Sequence, residues 1–169
     1  MKTVRKVAII FFVLIGCVGC DQMTKSIARH RLADVGMISF LGDALRLEYT
    51  ENTGGFLSLG ATIPGPLRSW IFICIVGGIL LVLLLYLLSA RRINRPTILA
   101  LSLVLAGGLS NLLDRIFHDG RVVDFMNVGV GSLRTGIFNV ADVAITIGIA
   151  WLVWLEIINR PRAANSKSG

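Results

Sequence analysis

Polar side chains that could take part in a reaction lie at the ends of three long apolar segments of this chain. Asp21 ends the first apolar segment, and two Asn-x-x-Asp units, 111–114 and 139–142, end the third segment and open the fourth. Ionisable groups at membrane depth are energetically costly, so each is a functional candidate by default. Residues three apart face the same way on a helix, so each unit offers an amide and a carboxylate together.

Each Asn-x-x-Asp unit also has a purely structural interpretation. Asn139 is a suitable helix N-cap, and Asp114 is suited to a polar position at a helix end. This interpretation fits Asp142 less well, because the sixteen residues that follow it include only two polar ones, Thr146 and Glu156. The sequence therefore favours a functional role for Asp142 and leaves both roles open for Asn139.

Asp124 is a further carboxylate with apolar neighbours, in the run Val122-Val123-Asp124-Phe125. A strand that carries it back toward the membrane would bring it near Asp142. Two carboxylates that share a low-dielectric site cannot both ionise, so one keeps its proton. The ionised one then takes a proton from water while the other donates to a carbonyl oxygen. This is peptide hydrolysis by an aspartate pair, and it needs no metal and no cofactor.

Four apolar segments must position these side chains. The chain is 54% hydrophobic and only 16% charged, with a mean hydropathy of +0.76, whereas soluble chains are about a quarter charged. Segments of 17 to 19 residues suffice to cross a hydrocarbon core of roughly 30 Å. The first segment has 14 residues before Asp21, so it spans only if its helix continues past that residue. We predict membrane spans at about 7–25, 70–88, 97–113 and 140–158.

Two polar segments, 26–69 and 114–139, connect these spans on one side. Leu45, Leu47 and Tyr49 alternate with polar residues, which predicts a half-buried strand. The valine-rich stretch 121–128 predicts a second strand, and the two glycines at 54 and 55 indicate a turn. The predicted fold is a single all-α membrane domain over 1–169: a four-transmembrane-helix bundle with a small extracytoplasmic β-rich segment.

Charge along the chain predicts its orientation. Nine of the seventeen basic residues lie before the first span, between the second and third, or after the last. Seven of the ten acidic residues lie in the other two polar segments, and an eighth, Asp21, lies near the end of the first span. By the positive-inside rule both termini are cytoplasmic and the acidic segments extracytoplasmic. The net charge of +7 does not indicate a nucleic-acid partner, because no basic stripe is interleaved with aromatic residues.

Three alternative interpretations deserve comparison. Cys17 and Cys20 have the spacing of a redox or metal pair, but two small residues on one helix face explain them, and no second pair supports a metal site. The basic start and Leu14-Ile15-Gly16-Cys17 resemble a lipoprotein signal peptide, which three further spans disfavour. Membrane carboxylates also serve proton transport, but here the inner half has only Glu156.

Five motifs in order resemble bacterial lipoprotein signal peptidases, the signal peptidase II family of aspartic membrane proteases. They cover most of the chain and are spaced across all four spans. In sequence order they read Asp21-Gln22-Met23-Thr24-Lys25, Asn52-Thr53-Gly54, Gly107-Gly108-Leu109-Ser110-Asn111-Leu112-Leu113-Asp114-Arg115, Val123-Asp124-Phe125 and Phe138-Asn139-Val140-Ala141-Asp142.

The resemblance implies a function and a role for each motif. It makes Asp124 and Asp142 the catalytic pair of a monomeric, multi-pass enzyme of the bacterial inner membrane. The implied substrates are prolipoproteins, cut just before a diacylglyceryl-modified cysteine, with membrane lipids as the other partner. The second motif departs from the family pattern, because Phe56 falls one place early. The residues implied to support structure or substrate are Asp21, Lys25, Asn52, Gly54, Gly108, Asn111, Asp114, Arg115 and Asn139.

Overall fold

A computed structural model describes residues 3–53 and 65–159 of the chain. Its helices are α1 (Thr3–Leu32), α2 (Gly65–Ser89), α3 (Arg95–Phe117) and α4 (Val140–Asn159). Within those ranges, four helices are long and apolar enough to cross a membrane. They contain the four predicted apolar segments, so the predicted helical bundle is confirmed. The glycine turn at 54–55 and the tail from 160 lie outside the described residues.

Helix α3 is the centre of the bundle, because it packs against each of the other three helices. Asn94 caps its start by accepting a hydrogen bond from the Thr97 backbone N–H at 2.9 Å. An added Cβ at Gly148 of α4 would lie 2.7 Å from the Ala100 carbonyl oxygen of α3, and one at Gly107 would meet the Ala141 carbonyl oxygen. These glycines let the two backbones approach closely.

Helix α1 continues eleven residues past Asp21, further than its apolar segment alone suggests. Asp21 and Lys25, one turn apart in this part of the helix, pair at 2.7 Å inside the protein. Near its other end, the buried Lys6 ammonium donates to the Leu88 and Ala90 carbonyl oxygens at the end of α2. The contacts of these two buried lysine side chains thus hold α1 along the bundle.

A four-stranded antiparallel sheet lies beside the C-terminal part of α1, in the order β1-β2-β3-β4. Its strands are β1 (Ile38–Phe40), β2 (Leu45–Asn52), β3 (Val122–Val130) and β4 (Leu133–Arg134). The two longer strands are the ones that the sequence predicts. The short β1 and β4, of three and two residues, give too little alternation to be recognised. Ala28, Leu32 and Phe125 form the buried contact between α1 and the sheet.

The bundle exposes much of its apolar surface. On α2, for example, the side chains of Trp70, Ile79 and Val82 are 66%, 62% and 67% exposed. Such a face is costly in water but suits the hydrocarbon core of a bilayer. The buried core is instead formed where α1, α2 and α3 meet, around Leu87 and Ile98.

Candidate active site

A cavity of about 940 Å³ opens where α3, α4, β3 and the loop before α4 meet. Asp124 of β3 and Asp142 of α4 both line it, although seventeen residues of sequence lie between them. One end of the cavity is polar, and the rest extends along an apolar face of α4. Its lining residues are Asn52, Asn111, Arg115, Val122, Asp124, Thr135, Gly136, Ile137, Phe138, Asp142, Val143, Ile145, Thr146, Ile147 and Ile149.

Asp142 lies in the first turn of α4, and both of its carboxylate oxygens accept hydrogen bonds. Oδ1 accepts from the Asn111 side-chain amide at 2.9 Å, and Oδ2 accepts from the Asn139 backbone N–H at 3.1 Å. The Asn139 Oδ1 in return accepts from the Asp142 backbone N–H at 2.9 Å. This reciprocal pair is a capping box. Asp142 therefore both caps α4 and faces the cavity.

Asp124 lies in β3 and is almost fully buried, with 3% of its surface exposed. Its Oδ1 accepts from the Asn139 side-chain amide at 2.7 Å, and its Oδ2 accepts from Asn52 at 3.2 Å. Burial first, and then the nearby Asp142 charge, raise the pKa of Asp124 from 3.8 to about 6 against the lowering effect of the amide donors. Asp124 is thus a carboxyl that holds a proton more readily than an exposed aspartate does.

Asn139 connects the two carboxylates. Its Oδ1 caps α4 while its side-chain N–H groups reach Asp124 and the Val123 carbonyl oxygen. Asn139 is therefore an N-cap that also contacts Asp124, and its functional role stays a prediction. Two backbone hydrogen bonds between Met126 and Phe138, at 2.9 and 2.8 Å, fix the chain just before it.

A buried charged cluster lies directly behind the cavity. Lys25 pairs with Asp21 at 2.7 Å and Asp114 at 2.9 Å, and these carboxylates are 0% and 1% exposed. Asp21 also accepts from the Ser110 hydroxyl and the Ala141 backbone N–H, at 2.7 and 2.8 Å. This cluster joins α1, α3 and the start of α4. Its role in the structure is to hold those three elements together.

Asp114 is tied to β3 as well as to Lys25. Its Oδ2 accepts from the Val123 backbone N–H at 3.1 Å, next to Asp124, and its Oδ1 accepts from Gln22 at 2.8 Å. Its sequence neighbour Arg115 instead lines the cavity and lies over the Phe72 ring, 5.9 Å from the centroid. The ion pair of Asp114 with Lys25, 89 positions away, is a contact that sequence adjacency does not predict.

The remaining predicted site residues fall in different places. Asn52 reaches the cavity from the end of β2, whereas Gly54 lies outside the described residues. Gly108 is a packing position, because an added Cβ would lie 2.6 Å from Leu80 of α2. Cys17 and Cys20 are unpaired thiols on α1. Within residues 3–53 and 65–159, no group of three or more His, Cys, Asp or Glu is arranged to hold a metal.

Two polar contacts and one loop escape sequence reasoning. Gln22 donates to the Ser110 hydroxyl at 3.0 Å and to Asp114. In the motifs that identify the site, Gln22 follows an aspartate and Ser110 precedes an asparagine. Their positions in those motifs are the signal that points to them. The loop 135–138 lines the cavity but carries no ionisable group, so chemistry gives no sign of it.

The chain matches the family model described as signal peptidase (SPase) II over residues 13–158. It is 32% identical over 150 residues to the lipoprotein signal peptidase of Borrelia turicatae (strain 91E135), which covers 86% of this chain and 87% of that protein. It is 37% identical over 142 residues to the lipoprotein signal peptidase of Chlorobium phaeobacteroides (strain BS1), covering 79% and 86%.

Two solved structures, both described as bacterial membrane enzymes determined by the in meso method, have the same fold. One, at 2.3 Å resolution, superposes with a TM-score of 0.73 at 25% identity, covering 98% of this chain and 94% of that one. The other, at 1.9 Å, gives 0.71 at 27% identity, covering 92% and 94%. The likeness therefore extends over nearly the whole chain, in sequence and in three dimensions.

Proposed function

The chain belongs to the signal peptidase II family, a family of aspartic proteases, and on that premise we propose that Asp124 and Asp142 are its catalytic pair. Membership makes it a multi-pass protease of the bacterial inner membrane that processes lipoprotein signal peptides. We further propose that it cuts just before the diacylglyceryl-modified cysteine. The observation that carries the assignment is that both carboxylates line one cavity and both accept from Asn139, Asp124 from its side-chain amide and Asp142 from its backbone N–H.

The two carboxylates are proposed to have different tasks. Asp142 accepts a proton from water, and the water oxygen bonds to the scissile carbonyl carbon. Asp124 gives its proton to the carbonyl oxygen, which yields a tetrahedral gem-diol. Asp142 then passes its proton to the leaving amine nitrogen as the C–N bond breaks, and Asp124 recovers its proton from a gem-diol hydroxyl. Each residue ends the cycle in its starting protonation state.

The raised pKa of Asp124, caused first by burial and then by the Asp142 charge, supports giving it the role of acid. The donors on Asp142 support giving it the role of base. It accepts two N–H groups and lies in the first turn of α4, where the helix dipole favours negative charge. A bound lipid substrate displaces water from the cavity and raises the proton affinity of Asp124 further.

The apolar lining of the cavity supports a lipid-modified substrate. Beside the carboxylates, its α4 wall carries Val143, Ile147 and Ile149, which are 37%, 51% and 50% exposed. Acyl chains and an apolar signal helix bury such a surface favourably, at roughly 25 cal/mol per Å². A diacylglyceryl group also keeps the scissile bond close to the membrane, where the two aspartates meet it.

The test is cleavage of matched peptides by the purified protein in detergent. One peptide carries a lipobox with a diacylglyceryl-cysteine, and the other carries the same sequence with an unmodified cysteine. We expect a gel shift for the lipidated peptide alone, and a product mass that begins at the modified cysteine. Equal turnover of the two peptides, or cleavage at another bond, would contradict the proposed substrate.

A further inference from the structure

Lys25 is a buried ammonium that touches the site without lining the cavity. Its side chain is 3% exposed, and it lies on α1, behind the cavity wall formed by α3. The three N–H groups of a lysine ammonium match its three acceptors: the carboxylates of Asp21 and Asp114, and the Asn111 Oδ1 at 2.8 Å. The last of these contacts leads directly to Asp142.

We propose that Lys25 is a positioning residue for the hydrolysis, acting through the Asn111 amide on Asp142. This inference rests on the proposed function, since it assigns a task within that reaction. Lys25 fixes which end of the Asn111 amide faces the catalytic carboxylate. It therefore determines that Asp142 meets an N–H donor instead of a carbonyl oxygen.

The argument depends on the polarity of the three groups. A lysine ammonium only donates hydrogen bonds and an ionised carboxylate only accepts them. An amide between them has one favourable orientation: Oδ1 toward Lys25 at 2.8 Å and Nδ2 toward Asp142 at 2.9 Å. The reverse orientation would set the oxygen against the carboxylate and the NH₂ group against the ammonium. The Asn139 amide supports the same orientation by donating to Asn111 Oδ1 at 3.1 Å.

A cation in this position also affects the charge of the dyad. Burial raises the pKa of Asp124, and the Lys25 charge acts in the opposite direction. Loss of Lys25 therefore makes protonation of Asp124 easier. The charged and titratable groups that face this region come from every element around it: Asp21 of α1, Asp114 and Arg115 of α3, His118 after α3, Asp124 of β3 and Asp142 of α4.

The experiment compares Lys25→Met with Lys6→Met by the lipidated-peptide assay across pH. Lys6 is a matched control, because it is a lysine buried on the same helix, 7% exposed, that donates to carbonyl oxygens far from the site. For Lys25→Met we expect a kcat roughly tenfold to a hundredfold lower, as for loss of a charge-assisted hydrogen bond. We expect an unchanged KM, because Lys25 does not line the cavity, and an alkaline limb moved to higher pH, because the Lys25 charge lowers the pKa of the proposed acid Asp124. Lys6→Met should lower the Tm and leave the pH profile unchanged.

A second pair of variants keeps the test decisive if Lys25→Met does not fold. Removal of Lys25 leaves two buried carboxylates without their cation, so Lys25→Met with Asp114→Asn is compared with Asp114→Asn alone. The proposal expects the alkaline limb to move to higher pH only in the variant that lacks Lys25. Folded Lys25 variants with the pH profile and kcat of their controls would overturn it. Wild-type enzyme that fails on the lipidated peptide would instead contradict the proposed function.

Discussion

The carboxylates of Asp124 and Asp142 differ in what surrounds them, although they share one cavity. Asp124 lies on a buried strand and accepts hydrogen bonds from two side-chain amides. Asp142 lies at a helix start, and one of its donors is a backbone N–H. Different environments around two carboxylates are the usual basis for dividing acid and base roles between them.

The raised pKa of Asp124 has a consequence for stability. A carboxyl whose pKa is about 6 in the folded protein and 3.8 ordinarily binds more protons folded than unfolded between those values. The free energy of unfolding therefore falls as pH rises through that interval. Asp124→Asn removes this penalty but leaves one of the two amide donors without an acceptor, so the Tm of the variant minus that of the wild type should be more positive at pH 8 than at pH 4.5.

Thermal unfolding of the purified proteins in detergent at the two pH values measures this effect. The exposed aspartate Asp119 provides the matched control, since Asp119→Asn removes one carboxylate outside the cavity. A Tm difference for Asp124→Asn that is the same at both pH values would contradict the raised pKa.

The sequence predicts the candidate residues of the site better than it predicts their contacts. Asp124, Asp142, Asn111 and Asn139 are identified by motif and by position next to apolar segments, and all four meet at the cavity or directly beside it. The link from Lys25 to Asn111 spans 86 positions. No local spacing predicts such a contact, because it depends on how α1 and α3 pack.

At the scale of elements, the start of α4 combines capping with the site. Asn139→Ala removes the cap and the amide donor to Asp124, so both stability and cleavage should fall. Asn139→Ser keeps an N-cap oxygen but supplies no amide donor to Asp124. A lost N-cap costs about 1 kcal/mol, so the serine variant should have a higher Tm than the alanine variant while its kcat stays low.

Tm and kcat for the two variants separate these roles. If Asn139→Ser recovers wild-type kcat together with stability, Asn139 serves only as a cap, and its contact with Asp124 is not used in catalysis. Wild-type kcat in both variants would remove Asn139 from the site altogether.

Helix lengths and short strands show where sequence reasoning ends. Hydropathy locates all four helices but underestimates α1, since a buried Asp21–Lys25 pair is indistinguishable in sequence from an exposed helix end. The strands β2 and β3 are predictable from alternation and valine content. Strands β1 and β4 are too short for any pattern, and they form because longer neighbours offer them hydrogen-bonding edges.

At the scale of the whole molecule, the bundle and the charge pattern predict one orientation. Basic clusters at the start of α1 and from the end of α2 to the start of α3 favour a cytoplasmic location for those ends. The sheet, the cavity and the acidic segments then lie at the outer face. That is the side on which a signal peptide exposes its cleavage site after translocation.

Cysteine labelling in spheroplasts tests this orientation. Ser39 in β1 and Ser89 at the end of α2 form a matched pair, since both are exposed serines at opposite ends of the molecule. In a background without native cysteines, Ser39→Cys should react with an impermeant maleimide in intact spheroplasts. Ser89→Cys should react only after permeabilisation. The reverse pattern would contradict the predicted topology.

The most direct test of the central claim is cleavage of the lipidated peptide by Asp124→Asn and Asp142→Asn, each purified and checked by thermal unfolding. An amide has nearly the shape of a carboxyl but neither accepts nor releases the catalytic proton. Each single variant should therefore fall to background, and the double variant should be no worse, because residues that act as a unit are not additive. Asp142→Asn should also lose some stability, since one amide oxygen cannot accept from both Asn111 and the Asn139 backbone. Substantial turnover by either folded single variant, in an assay where the wild type is active, would contradict the aspartate-pair account.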